Sequence, residues 1–125
     1  MPNIIVGISG VASVTVSDSN TARAVGSGSL DVFATPMMIA LMERAACECI
    51  ADCLGIGETS VGTQINVAHT AASVIGANVT ATATVTAVDG RKVEFNVAAN
   101  DGEKEIGNGT HTRVVVDAER FMGKL

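Results

Sequence analysis

Apolar and polar residues alternate one by one in several stretches of this chain, and a two-residue period of this kind predicts half-buried β-strands. The alternation runs through residues 10–18, 61–69, 77–88 and 92–99, and a fifth strand is expected over residues 103–116. Residues 32–54 break the pattern, because their apolar positions cluster on one face of a helix. We therefore expect an α+β fold in which one antiparallel sheet of five to six strands wraps a long central helix, with a possible short C-terminal helix over residues 117–125.

The ends of the central helix are suggested by the residues that flank it. Thr35 is the expected N-cap, because a threonine hydroxyl can accept a hydrogen bond from a free backbone N–H of the first turn. Pro36 suits the next position, where no intrahelical N–H is needed. Gly55 is expected to end the helix in the left-handed conformation.

One carboxylate of this helix lies apart from its polar stripe. Arg44, Glu48 and Asp52 recur every four residues and form the stripe, whereas Glu43 falls beside Ile39 on the apolar flank. A carboxylate that faces a core must find a partner or take up a proton. The alternative is a position at the helix margin, from which the side chain reaches water.

A histidine has a similar position on the second predicted strand. The odd-numbered residues from Val61 to His69 are mostly apolar and are expected to face the helix, so that His69 points at the layer Glu43 also faces. The alternative is a hydrogen-bonded core histidine without a chemical role. Residues 21–30 can begin as a strand, but Gly26 to Ser29 indicate a loop, which is either a ligand-facing lid or a plain connector.

The second half of the chain shows hairpin signals. Asp89-Gly90 predicts a type I′ turn. Gly107 and Gly109 in the last strand indicate a bulge or a close approach by another chain segment. Such a sheet leaves a long edge, and exposed edges are usually hidden or paired. We therefore expect a two-fold homodimer in which two sheets join edge to edge.

Composition restricts the classes of function. A length of 125 residues is enough for one domain over residues 1–125. The net charge of −5, with only 8 Lys and Arg, argues against nucleic acid as a partner, and the absence of Trp and Tyr removes the usual base-stacking side chains. No apolar stretch is long enough to span a membrane, and the first residues lack the features of a secretory signal. A soluble cytoplasmic protein without membrane partners is expected.

The three cysteines, at positions 47, 49 and 53, all lie on the predicted helix. Their odd number and spacing match no zinc motif, so reduced, buried, structural thiols are expected. We expect no metal and no cofactor.

Three motifs give the chain a family resemblance. They are ATPMMIALME at residues 34–43, VGTQINVAHTAA at 61–72 and GTHTR at 109–113. In this order and spacing they resemble the fluoroacetyl-CoA thioesterase-like branch of the hot-dog thioesterases. The resemblance implies a hot-dog fold and hydrolysis of short-chain acyl-CoA thioesters, with fluoroacetyl-CoA among the candidate substrates.

The resemblance also implies roles for individual residues. Thr35, Glu43 and His69 match the catalytic residues of the family, and Gly62 and Arg113 match residues that line its substrate site. Phe33 is the nearest candidate for the aromatic gate of the fluoroacetyl-specific members, and it completes the predicted substrate-binding set.

Several chemical assignments remain open at this point. Glu43 can activate water or attack the carbonyl itself. Thr35 can orient water, or its hydroxyl can be the group that attacks the carbonyl. His69 can relay a proton, while the N–H of Gly62 or of the first helical turn can stabilise an oxyanion. Arg113 can fix the acid, meet a phosphate of CoA, or form a structural ion pair. The rival functions are a non-catalytic acyl-CoA sensor and, less well supported, an acyl-thioester dehydratase.

Overall fold

The structure, a computed structural model, describes residues 3–125, so Met1 and Pro2 of the predicted domain lie outside the described residues. Its elements, in chain order, are β1 (Ser9–Thr15), α1 (Ala22–Val25), α2 (Thr35–Ile50), a 3₁₀ turn (Ala51–Cys53), β2 (Glu58–His69), β3 (Asn78–Asp89), β4 (Lys92–Asp101), β5 (Lys104–Asp117) and α3 (Ala118–Gly123).

The five strands form one sheet in the order β1-β3-β4-β5-β2, and every neighbouring pair is antiparallel. The sheet curls round α2, which packs mainly on β1 and β3. Alternate residues of β3 and β4 are buried against the helix, among them Val79, Val93 and Phe95. The predicted α+β fold, a central helix wrapped by an antiparallel sheet, is confirmed, and so is the short C-terminal helix, which the Asp117 carboxylate caps by accepting from the Arg120 N–H.

The predicted cap of the central helix is wrong by one residue. Ala34 occupies the N-cap position, and Thr35 is already the first helical residue, followed by Pro36. No side chain caps this helix end. The Thr35 hydroxyl is therefore not engaged with the backbone of the first turn and is available for another partner.

The predicted end of this helix is also wrong. The α-helix stops at Ile50 and tightens into the 3₁₀ turn, which ends at an extended Leu54. Gly57 (φ 77°), and not Gly55, has the left-handed conformation.

Two further local features differ from the predictions. Residues 22–25 form a short helix that the Thr21 hydroxyl caps. The β3–β4 turn has Gly90 (φ 59°) as its first central residue. Because no non-glycine residue has positive φ among the described residues, this turn is not type I′.

A β-bulge at Thr63 changes which side of β2 faces the helix. Gly62 pairs with Arg113 and Gln64 with Thr112, so Thr63 is the extra residue. Residues opposite each other in an antiparallel pair point to the same face. Gly62 therefore shares the inner face of Arg113, and Ile65 shares that of His111. The prediction that odd positions face the helix fails before the bulge and holds after it, so His69 lies on the inner face.

β2 forms a long open edge of the sheet. It has twelve residues, against seven for β1 at the other edge, and most of its residues are exposed. Ile65, in its middle, keeps 37% of its surface accessible. The close approach predicted at Gly109 is to this strand. Gly109 lies on β5, and a Cβ added to it would be 2.7 Å from the Val67 Cα of β2.

Within residues 3–125, no helix has the length and apolar character needed to cross a membrane.

Candidate active site

The start of α2 and the end of β2 bring two predicted residues into contact. The Thr35 Oγ1 and His69 Nδ1 atoms are 2.7 Å apart, a short hydrogen bond between residues 34 positions apart in the chain. Thr35 is exposed and opens the helix, where backbone N–H groups are free and the helix dipole is positive. Pro36 has no N–H, and the N–H groups of Met37 and Met38 donate to the Ala34 carbonyl. The Thr35 N–H is therefore the remaining donor of this first turn.

A cavity of about 320 Å³ opens at this pair. Its lining includes Thr35 and His69, the aromatic ring of Phe33 and the small residues Ala71 and Ala72. Phe33 is 1% exposed and its N–H donates to the Ser73 carbonyl, so it is a fixed wall of the cavity. A reactive hydroxyl, an imidazole and an apolar wall in one concave site are features of a ligand pocket.

His69 has the properties of a neutral base. Burial lowers its pKa below the ordinary histidine value, and a backbone hydrogen bond at Ala71 only partly opposes this. Its Nε2 atom is buried near the backbone of Ala71, but no acceptor among the described residues has the geometry of a hydrogen bond to it. In the neutral form with the proton on Nε2, the Nδ1 lone pair faces the Thr35 hydroxyl and can accept its proton.

The lowered pKa of His69 gives a testable pH dependence. Protonation would remove the base, and the imidazole must first overcome the cost of a buried charge. For the short-chain acyl-CoA substrates that the sequence resemblance implies, we expect kcat/KM to be constant from about pH 8 down to below about pH 6.5, the ordinary histidine value, and to fall only at lower pH. A pH–rate profile measures this, and an acidic limb centred above pH 7 would contradict it.

Glu43 lies in a second cluster, on the inner face of β2 and β5. Its Oε2 atom accepts from Arg113 Nη1 at 3.0 Å. The same guanidinium donates through Nε to Ser60 Oγ (2.8 Å) and through Nη2 to the Ser60 carbonyl (3.0 Å). Gly62 lies directly beside the carboxylate, because an added Cβ there would be 2.6 Å from Glu43 Oε2. The Glu43 side chain is also 40% exposed, so it reaches water as the helix-margin alternative expected, and it pairs with Arg113 at the same time.

This cluster also shows that Arg113 is an ion-pair residue. The side chain is 8% exposed, and its donors are engaged by Glu43, Ser60 and His111. These contacts fit both a role in fixing the acid and a structural ion pair. A phosphate of CoA would have to displace Glu43, Ser60 and His111 from the guanidinium.

A substitution at Gly62 tests how closely this cluster is built. In Gly62→Ala the new methyl group would overlap the Glu43 carboxylate and lie 3.3 Å from Arg113 Nη1. Because the nearest atom is the end of a flexible side chain, we expect the fold to persist while the carboxylate moves and kcat falls at least about tenfold. Steady-state kinetics and thermal unfolding measure the two effects. Gly123→Ala is the matched control, since nothing lies within 4 Å of its Cβ, and equal kinetics for both variants would contradict the expectation.

Glu43 and His69 both lie on the inner face of the sheet, as expected, but they do not meet within one chain. Thr35 and Glu43 are eight residues apart on α2, which is about 12 Å along the helix. Gly62 and His69 are seven residues apart on β2, about 23 Å along the strand. The predicted residues therefore divide into a pair, Thr35 with His69, and a separate cluster around Glu43.

The sequence motifs did not single out two members of that cluster. His111 is buried on the inner face of β5, with its Nε2 atom 3.2 Å from Arg113 Nη1, and Ser60 holds the other side of the guanidinium. The signal for His111 was present, because it shares the strand face of Arg113 in the GTHTR motif. Ser60 gave no signal, since its position depends on the bulge. Within residues 3–125, no group of three His, Cys, Asp or Glu side chains is arranged to hold a metal ion.

Comparisons with known proteins point to one family. A family model described as fluoroacetyl-CoA-specific thioesterase matches residues 16–119. Among curated proteins, the fluoroacetyl-CoA thioesterase of Streptantibioticus cattleyicolor is 47% identical over 95 residues, which cover 76% of this chain and 68% of the relative.

Solved structures agree with this result. A mutant of the fluoroacetyl-CoA-specific thioesterase FlK, in complex with fluoroacetate and CoA, superposes with a TM-score of 0.88 at 40% identity, covering 94% of this chain and 98% of the other. A thioesterase superfamily member from Thermus thermophilus superposes with a TM-score of 0.90 at 27% identity, covering 99% of this chain and 92% of the other.

Proposed function

The chain belongs to the family of fluoroacetyl-CoA-specific thioesterases, and from this premise we propose that it hydrolyses short-chain acyl-CoA thioesters at a site built by two protomers of a homodimer. The observation that carries the proposal is the 2.7 Å hydrogen bond between Thr35 Oγ1 and His69 Nδ1 at the mouth of the cavity. A hydroxyl bonded to a neutral imidazole is the arrangement that nucleophilic acyl transfer requires.

The open edge of β2 supports the homodimer. Pairing of β2 with its symmetry mate would satisfy the free backbone groups of this edge and cover Ile65. In an antiparallel pair, a two-fold axis at Asn66, close to the middle of the strand, places Ile65 opposite Val67. Because Thr63 is the extra residue of the bulge, His69 of one protomer then lies opposite Gly62 of the other. Because opposite residues share a face, Glu43 of the second protomer would then face Thr35 and His69 of the first.

Acylation is assigned to the Thr35–His69 pair. His69 Nδ1 takes the hydroxyl proton as Thr35 Oγ1 attacks the thioester carbonyl, and it returns this proton to the leaving sulfur of CoA. The Thr35 N–H and the positive end of α2 stabilise the oxyanion that forms during the attack. The products of this step are free CoA and an ester on Thr35.

Deacylation is assigned to Glu43 of the partner protomer. Arg113 anchors the Oε2 atom, and no hydrogen bond within residues 3–125 reaches Oε1. The free oxygen can remove a proton from water as the water attacks the Thr35 ester. The ester bond breaks, the carboxylic acid leaves, and the proton returns to Thr35 Oγ1 by way of His69.

The walls of the cavity support a preference for short acyl groups. Phe33 is 1% exposed and packed in the hydrophobic core, so it limits the depth of the pocket. Acetyl and fluoroacetyl groups fit such a site, and fluoroacetyl-CoA is a candidate substrate because relatives of the family are named for it.

We also propose a cytoplasmic location, which free thiols support. The three cysteines are unpaired, Cys47 is exposed, and the Cys49 thiol donates to the Ile8 carbonyl. The expectation that all three thiols are buried holds for Cys49, but Cys53 is only half-buried and Cys47 is exposed. Unpaired cysteines are typical of a reducing compartment.

Release of free thiol from a panel of acyl-CoAs tests the proposed function. Fluoroacetyl-, acetyl-, butyryl- and octanoyl-CoA are incubated separately with the purified protein. We expect thiol release from the two-carbon substrates and a steep decline with chain length, since longer chains would overlap Phe33. Binding of acyl-CoA by calorimetry without thiol release would instead indicate a non-catalytic sensor.

A further inference from the structure

The inner face of β5 holds a buried histidine that the reaction scheme does not use. His111 is 2% exposed and stacks on Phe95, with ring centroids 6.0 Å apart and an interplanar angle of 26°. Its Nδ1 atom lies 2.8 Å from the Gln64 carbonyl. A carbonyl oxygen only accepts hydrogen bonds, so Nδ1 must be the protonated, donating nitrogen.

The other ring nitrogen faces a group that only donates. His111 Nε2 is 3.2 Å from Arg113 Nη1, and a guanidinium has no acceptor. Nε2 must therefore be the unprotonated, accepting nitrogen. The Glu43 Oε2 atom is 3.9 Å from Nε2, which is too far for a hydrogen bond, and a neutral ring has no charge to pair with it.

We propose that His111 is a positioning residue, a neutral imidazole with its proton on Nδ1 that aims the Arg113 guanidinium at Glu43. The consequence for Glu43 rests on the proposed function, whereas the state of His111 follows from its own contacts. A guanidinium is planar, with its donors in a fixed fork. Ser60 holds Nε and Nη2, and the lone pair of His111 takes one hydrogen of Nη1, so the other hydrogen of Nη1 points at Glu43 Oε2.

The charges round His111 agree with the neutral state. Burial lowers its pKa, and the positive charge of Arg113 lowers it further, while the Gln64 carbonyl and the Glu43 carboxylate oppose these effects. Glu43 comes from α2 and Arg113 from β5, and the side chain that β4 places against the ring, Phe95, carries no charge. A proton on Nε2 would face the N–H of Arg113 and release the guanidinium from its position.

Two substitutions distinguish the roles of the two ring nitrogens of His111, Nδ1 and Nε2. His111→Gln can place an amide oxygen near the position of Nε2 and keep the acceptor for Arg113. His111→Asn can keep a donor for the Gln64 carbonyl, but it is too short to reach Arg113. We expect kcat for acetyl-CoA to fall about tenfold or more in His111→Asn while kcat/KM, which reports acylation, changes little, and His111→Gln to recover most of the loss.

Thermal unfolding of the two variants separates positioning from packing, since both lose the stacking on Phe95. Equal kcat values in the two variants, or losses of kcat that follow Tm alone, would overturn the proposal. Imidazole ¹⁵N chemical shifts of the wild-type protein provide a readout that does not depend on turnover. Neutral His111 with the proton on Nδ1 is the expected result, and the opposite tautomer or a charged ring at pH 7 would overturn the proposal. If the wild type releases no thiol, the proposed function fails while this tautomer result still stands.

Discussion

Replacing Glu43 by glutamine is expected to lower kcat for acetyl-CoA by at least about 10²-fold, which is the low end for loss of a general base. The amide keeps the size of the side chain and an oxygen for Arg113 Nη1, but it cannot remove a proton from water. Because Thr35 and His69 are intact, the first half of the reaction should continue. The ester should therefore accumulate, and mass spectrometry of quenched Glu43→Gln should show a gain of one acetyl group on Thr35.

Glu48→Gln is the matched control for this substitution. Glu48 lies on the same helix, is exposed, and makes no ion pair with the residues the structure describes. The control removes the same charge and should hydrolyse acetyl-CoA like the wild type. Unchanged turnover in Glu43→Gln would show that Glu43 has no role in the mechanism. Slow turnover without an acetylated Thr35 would contradict the assignment of Glu43 to the deacylation step.

Replacing His69 by alanine is expected to lower kcat/KM by at least about 10²-fold as well, but at the earlier step. Without the imidazole, no group accepts the Thr35 proton at 2.7 Å, and the hydroxyl alone is a weak nucleophile. No acetyl group should accumulate on the protein. The two variants therefore differ in their intermediates although both lose turnover.

Circular dichroism and gel filtration test whether the His69→Ala variant is still folded. His69 is the last residue of β2, so its removal should leave the strand pairing with β5 in place. A folded His69→Ala protein with wild-type kcat/KM would contradict the role of the imidazole. Accumulation of acetyl-Thr35 in this variant would place His69 in deacylation alone.

Much of the fold was readable from local patterns. The alternation in β3 and β4 and the helical spacing of residues 35–50 depend on neighbours in sequence, and the structure places these elements where the patterns indicated. The Thr35–His69 contact could be anticipated only through the family resemblance, because it joins residues 34 positions apart.

The arrangement of the Glu43 cluster was not readable in the same way. A one-residue bulge at Thr63 reverses the faces of β2, and the bulge exists only in relation to β5. The partner of Glu43 is Arg113, 70 positions away. The pattern of α2 alone could therefore show that a carboxylate lies on the apolar flank, but not which residue pairs with it. The separation of this cluster from His69 depends on where the strands end, which propensities do not determine.

Mixing Glu43→Gln with His69→Ala is the most direct test of the shared site. Each variant alone should be inactive, whereas a mixed dimer contains one site with Thr35 and His69 from one protomer and Glu43 from the other, all intact. Random pairing after co-refolding gives half mixed dimers with one good site each, so we expect about one quarter of wild-type activity. Activity no higher than that of the separate variants, with mixed dimers demonstrated by native mass spectrometry, would contradict a site built by two protomers.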